Sequence, residues 1–412
     1  MLEGRYESVY NASWHRVVEV PGGEGTGMEV KEGVPPQSWT YKKVGRILEK
    51  DDGVQQSGAE RLRLLVLTSD KRWPYSWERE VGEFIPDCYV NCEVERVWRI
   101  VKGDLTKWFS THRGTEFKPK KRVLIGTPGI GKSMNAGSYL LYQLLHYDVE
   151  KLQVVAYVIA DRKYLFDKIT ETVEKYGEAS SIVDILEEFS DRGVKGYIIY
   201  DVSMKGHEPS TGLPCEGWGM IVVTSPDKKN YESWAEQMGA ERIIINCPDE
   251  SDVKAMCVWK KHNRRLAEEE AEEESEEEAE EEAEEEAEEE AEEEAEEEAE
   301  EEAEEESEEE AEEEVDYWKK VKDRMDKVGP IIRFIFNEQK SDARFNECED
   351  AVNDTTPLML QYYAGIGTGE SCNDNQVSRK LVKVVRVQRN NIEWPLNVLI
   401  SPHFERETLF KM

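Results

Sequence analysis

"RVLIGTPGIGKSMNAGSYLLYQLL", Arg122 to Leu145, sets a glycine-rich turn between a short aliphatic run and an apolar segment of helical spacing. The turn Gly126-Thr127-Pro128-Gly129-Ile130-Gly131-Lys132-Ser133 fits the phosphate-binding pattern G-x-x-x-x-G-K-[ST] at every fixed position. That pattern works only where a strand aims the loop, glycines let backbone N–H groups close on phosphate oxygens, and a helix starts at the lysine. Lys121 to Ile125 reads as the strand, and Tyr139, Leu140, Leu144 and Tyr147 recur at helical spacing. The expected roles follow. The amides of Gly129 to Ser133 cradle phosphate, Lys132 faces the β- and γ-phosphates, and Ser133 reaches Mg²⁺. An ordinary glycine turn is the competing reading, but it does not require the flanks to fit as well.

Working outward, aliphatic runs recur at 153–159, 197–200, 220–223 and 243–245, separated by stretches of helical pattern. Short buried strands alternating with helices predict a doubly wound parallel sheet covered on both faces. "GYIIYD" ends one strand in Asp201, at the carboxyl edge where such sheets bind ligands. An acid there can hold a magnesium hydration shell, or it can simply cap the following loop. "IVVTSP" ends another strand in Thr224 and Ser225, which suit either a γ-phosphate contact or the turn before Pro226. Val202 follows Asp201, where a carboxylate would orient the attacking water, so slow hydrolysis is expected; Glu208 is the weak candidate to stand in.

The boundaries read as a small α+β module at 1–118, a nucleotide-binding core at 119–266, an acidic insert at 267–314, and a lid-like helical region opening a C-terminal α/β module at 315–412. In the first, "LRLLVLTSD" (62–70) is strand-like and "VERVWRIVKGDLTKWF" (94–109) helix-like, without a catalytic constellation.

The net charge of −37 belongs to the insert. Ala267 to Glu314 is twelve tetrads of Ala or Ser followed by three Glu, holding 36 of the 90 acids; the other 54 face 53 Lys and Arg. On a helix each four-residue step overshoots a turn by about 40°, so the alanines spiral and no coiled-coil face forms. Glutamates at i and i+4 repel, against the helix propensity of Ala and Glu. A continuous helix would hold the ends of the tract about 72 Å apart. A solvated loop with transient helicity is therefore expected. Its candidate roles are a nucleic-acid mimic for basic proteins, a divalent-ion sponge, or a tolerated repeat expansion. Flanking basic residues (Lys260, Lys261, Arg264, Arg265; Lys319, Lys320, Lys322) suit pairing with the tract, and the first four suit a nuclear address.

Seven scattered cysteines read as free thiols of a reducing compartment, with Cys88 and Cys92 too poorly supported for a metal site. With no secretory segment and no run of 18 apolar residues, an intracellular chain without a membrane partner is expected.

The strand sequence resembles the additional-strand class of P-loop ATPases, implying ATP and Mg²⁺ as cofactors in a P-loop NTPase-like core. "DKVGPIIRFIF" (326–336) resembles the lid helix of signal-transduction ATPases with numerous domains, although Gly and Pro are adjacent here. Six longer strings resemble the retrotransposon hot spot protein family of kinetoplastid parasites: "NCEVERVWRIVKGDLTKWF" (91–109), "KRVLIGTPGIGKS" (121–133), "GVKGYIIYDV" (193–202), "LPCEGWGMIVVTSP" (213–226), "ESDVKAMCVW" (250–259) and "KLVKVVRV" (380–387). The resemblance spans nearly everything outside the insert. It implies a multigene, subtelomeric family, itself a target of retroelement insertion, found in or around the nucleus and also in cytoplasm, with chromatin or RNA-polymerase-associated proteins as partners. Family chains extend beyond both ends of this one, so a partial copy is expected. The reading that follows is a nucleotide-binding protein with weak or absent ATPase activity, the alternative being a non-hydrolysing scaffold. Arg192, Arg242 and Arg333 all remain open as the arginine finger.

Overall fold

The computed structural model describes residues 1–20, 25–36, 38–51, 60–78, 85–110, 117–177, 181–202, 208–283, 312–354 and 380–411. Helix α1 (Arg5–Tyr10) leads into strands β1 (Ser13–Glu19), β2 (Met28–Glu32), β3 (Tyr41–Val44), β4 (Ile47–Lys50), β5 (Arg61–Thr68) and β6 (Asp87–Val90). Four of these form an antiparallel sheet in the order β2-β1-β5-β6, and β3 pairs with β4 in a separate hairpin. Helix α2 (Cys92–Trp108) follows. Asn91 caps it by accepting the Val94 N–H at 3.1 Å, and Glu93 and Glu95 sit in its first turn, where the helix dipole favours acids.

Next come β7 (Lys121–Ile125), a π-helical stretch over Lys132–Gly137, α3 (Ser138–Leu145), β8 (Val154–Ile159), β9 (Arg162–Asp167), β10 (Thr172–Tyr176), α4 (Ile182–Asp191), β11 (Gly196–Asp201), β12 (Trp218–Thr224), α5 (Glu232–Met238) and β13 (Glu241–Ile244). Their seven-stranded sheet runs β10-β9-β8-β11-β12-β7-β13. The five strands from β8 to β13 are parallel, and β12 lies between the loop strand β7 and the Asp201 strand β11. β8 and β12 are buried along their whole length, as strands covered on both faces must be. One face packs on α2 and α3 through Leu124, Leu140, Leu144 and Ile221; the other packs on α4 and α5 through Val123, Leu186, Val222 and Trp234.

Two expectations are corrected here. The chain does not pass from β8 straight to a helix. It turns back through β9 and β10, which extend the sheet antiparallel, with Ala160 at φ 52° making the first turn. Between β11 and β12 no helix occurs among the described residues.

Helix α6 (Glu250–Ala283) follows β13 and lies beside helix α7 (residues 312–328). Lys261 pairs with Glu313 and Lys322 with Glu250, which makes the two antiparallel, and Val253 and Cys257 meet Val321, Met325 and Val328 between them. The opposite flank of α6 covers the first sheet, Trp259 and Ala255 packing on Val17, Leu64 and Val66. The loop expectation for the acidic tract is therefore corrected over its described part: α6 runs through to Ala283, and α7 already includes residues 312–314. The physical reason is nucleation. Buried turns of α6 meet the entropy cost of starting a helix, after which Ala and Glu propagate it cheaply. Residues 284–311 lie outside the described part. The ends of the tract do approach one another, but through the packing of α6 on α7.

After Gly329 and Pro330 come α8 (Ile332–Ile335), α9 (Glu338–Asn353), the hairpin β14 (Val382–Arg389) with β15 (Ile392–Leu399), and α10 (Pro402–Lys411). Gly329 sits at φ 85° with the Ile400 carbonyl 2.5 Å from where a Cβ would stand, so only glycine fits the bend between α7 and α8. The β14–β15 hairpin is stitched to the edge of the large sheet: Glu393 accepts the Ile244 N–H at 2.7 Å. No helix of the described residues is long and apolar enough to cross a membrane.

Candidate functional site: a phosphate-loop cavity

The glycine-rich turn leaves β7 and enters the π-helical stretch at Lys132. Gly129 and Gly131 adopt φ 86° and 89°, the left-handed conformations that turn successive N–H groups toward one point. Lys132 Nζ donates to the Thr127 carbonyl across the loop at 2.7 Å, using one of its three donors. The ammonium is almost wholly buried, and burial pulls its pKa down to about 8, with Asp201 acting in the opposite direction.

Asp201 stands at the carboxyl end of β11, as the position of the acid in "GYIIYD" implied. Burial pushes its carboxyl up to about 6, opposed by a hydrogen bond from the Ser133 hydroxyl and by the Lys132 charge. Its Oδ2 has no hydrogen-bond partner among the described residues, and neither has Thr224 Oγ1 at the end of β12. Two buried polar atoms thus face the loop unsatisfied, which native proteins seldom leave without a ligand or a solvent partner.

These groups open onto a cavity of about 600 Å³, within the range of small-molecule sites. Pro128, Gly129, Gly131, Lys132, Ser133, Asp201, Thr224 and Ser225 line it. Gly126, Thr127 and Ile130 are not among its lining residues. Thr127 is instead pinned from behind: its Oγ1 accepts the Val384 N–H of β14 at 2.9 Å and faces Cys247 Sγ at 3.4 Å.

Glu208 is not brought to the cavity. Its carboxylate accepts the Ser233 N–H at 3.0 Å, at the start of α5. Among the described lining residues the only carboxylates are Asp87 and Asp201. Asp87 is committed elsewhere, accepting Trp259 Nε1–H at 2.7 Å and the Thr68 hydroxyl at 2.9 Å. Of the three arginines left open, Arg333 lines the cavity, its backbone N–H donating to Gly129 O at 3.1 Å. Arg192 stacks on Phe189, and Arg242 lies beside Glu232 and over Trp394.

Sequence reasoning missed the far wall. Tyr75, Asp87 and Tyr89 come from the first module, Lys260 from α6, and Phe336 and Lys340 from the segment after Gly329. Tyr89 N–H donates to Asn135 Oδ1 at 3.2 Å, fastening β6 to the first turn after the loop. The basic cluster read as a nuclear address is also engaged: Lys260 faces the cavity, Lys261 pairs with Glu313 and Arg264 with Glu268. The described cysteines are free, and no cluster of three or more His, Cys, Asp or Glu side chains able to hold a metal occurs among the described residues. A hydroxyl and one carboxylate, Ser133 and Asp201, do fit Mg²⁺, which takes one or two protein ligands and completes its shell with phosphate and water.

Two family models cover the chain. Residues 6–120 match the retrotransposon hot spot proteins N-terminal model, and residues 123–293 and 284–412 match the retrotransposon hot spot protein, P-loop domain model. No match was found among curated proteins.

Proposed function

The chain belongs to the retrotransposon hot spot protein family, and on that premise we propose that it binds ATP with Mg²⁺ at the loop cavity and turns it over slowly or not at all. The observation that carries the reading is the pair of unsatisfied buried atoms, Asp201 Oδ2 and Thr224 Oγ1, facing a phosphate loop whose lysine keeps two donors to give. In this reading the amides of Gly129 to Ser133 and the Lys132 ammonium hold the β- and γ-phosphates. Ser133 and Asp201 hold the metal, and Thr224 contacts the terminal phosphate. Mg²⁺ would neutralise phosphate charge. Slow turnover follows from Val202 at the position after Asp201 and from the engagement of Glu208 with Ser233. Arg333 is the cationic group placed to sense the phosphate from the same chain. The partners in this proposal are nuclear nucleoprotein assemblies, with basic proteins drawn to the acidic tract.

Calorimetric titration of MgATP into the wild-type protein and Lys132→Ala tests it. Binding by the first, weakened a hundredfold or more in the second, is expected. Equal affinity of the two, or no binding by either, refutes the assignment.

A further inference from the structure

Lys260 projects from α6 into the same cavity and is half-buried there. Among the described residues it makes no hydrogen bond or ion pair; its ammonium lies 5.1 Å from the centre of the Phe336 ring. The neighbouring carboxylate, Asp87, already accepts from Trp259 and Thr68. Burial lowers the lysine's pKa, and Asp87 restores only part of it. A cation on an aromatic face recovers roughly 0.5–2 kcal/mol, which leaves much of its desolvation unmet. The cavity as a whole leans the same way: Lys132, Lys260 and Arg333 face Asp201 and the already engaged Asp87. Such a lining calls for negative charge. The base and ribose of a nucleotide carry none.

We propose that Lys260 is a second polyphosphate-binding cation, placed on the nucleotide by α6 from outside the phosphate loop. This rests on the nucleotide-binding reading above and adds a contact that no loop motif contains. Lys260 belongs to the helix that continues into the acidic tract, and Arg333 follows α7 through the Gly329 bend. Both helices that flank the acidic tract therefore lead to charges around one ligand.

The test uses the full chain, with magnesium tripolyphosphate and MgATP as separate probes at fixed ionic strength. Lys260→Gln should weaken both about tenfold or more, and Lys260→Arg should recover most of the loss. A melting curve checks each variant; should Lys260→Gln fail to fold, Lys260→Met, which keeps the stem against Phe336, replaces it. Wild-type affinity of the neutral variant for tripolyphosphate would overturn the proposal. So would a loss confined to MgATP, which would place the lysine on base or ribose. If Lys132→Ala abolishes binding while Lys260→Gln leaves it intact, this inference alone fails. If the wild-type protein binds neither probe, the nucleotide reading fails with it.

Discussion

Arg96 Nη1 donates to Glu393 Oε1 across 2.6 Å, a bond between residues 297 positions apart in the chain. Arg96 is fully buried, Glu93 lies 3.5 Å away on the same helix, and Arg386 of β14 holds Glu93 from the other side at 2.9 Å. This network joins α2 of the first module, the edge of the large sheet and the C-terminal hairpin. Removing one partner leaves a buried charge uncompensated. Glu393→Ala should therefore cost about 3–5 kcal/mol in denaturant melts, and Arg96→Met combined with Glu393→Leu should recover part of that loss. If Glu393→Ala melts like the wild type, the hairpin is not held as described.

Asp201 gives a pH signature. Its folded pKa, near 6, exceeds the ordinary Asp value of 3.8, so the folded state binds the extra proton between them and stability falls as pH rises through that window. Asp201→Asn should abolish this slope and raise stability at neutral pH by on the order of 2–3 kcal/mol, while weakening Mg²⁺-dependent nucleotide binding. Melting temperatures of both proteins from pH 4 to 8 check the first part and titration with and without Mg²⁺ the second. A parallel pair of melting curves would sink it.

Turnover should lie well below the roughly 1–100 s⁻¹ of efficient phosphoryl-transfer enzymes. Glu208→Gln should leave even that residual rate unchanged, because the side chain is engaged by the Ser233 N–H and an amide oxygen can accept the same bond. A phosphate-release assay decides. Brisk release abolished by Glu208→Gln would mean that the loop rearranges to bring the glutamate in.

Replacing residues 269–311 by a short Gly/Ser linker should shift the melting temperature by no more than a few degrees. The packed part of the hairpin, Val253 and Cys257 against Val321, Met325 and Val328, is retained, as is the pairing of Lys261 with Glu313. Salt-sensitive binding to a basic protein such as a histone should disappear with the tract. A fall of ten degrees or more would show that the tract packs on the body.

The phosphate loop and the strand edges carrying Asp201 and Thr224 were legible because each rests on local pattern: a fixed spacing, a continuous apolar run, a polar residue at its end. The β9–β10 hairpin was not, since "RKYLFD" and "TVEKY" mix charge with apolar residues too evenly to stand out. The helical start of the acidic tract was missed because its nucleation comes from tertiary burial of α6, which no i,i+4 count contains. Asp87 and Tyr89 of β6 and Lys260 of α6 reach the cavity from two separate stretches, and the only sequence trace of the two charges is their place beside an otherwise apolar run. The Arg96–Glu393 pair leaves no such trace; it arises only when the hairpin meets the sheet.

The antiparallel stems of α6 and α7 also bear on how far the length of the acidic tract can vary. Their packed contacts and the Lys261–Glu313 pair fix where the chain leaves the body and where it returns. Whatever joins those two points faces closure constraints that grow only with the logarithm of its length, about 0.6 kcal/mol for each doubling. Replication slippage adding or losing whole tetrads would then change the charge of the molecule by three units at a time while leaving the cavity untouched. Charge is thereby uncoupled from the fold, and variants of this chain with different numbers of tetrads, and so very different isoelectric points, should share one melting temperature.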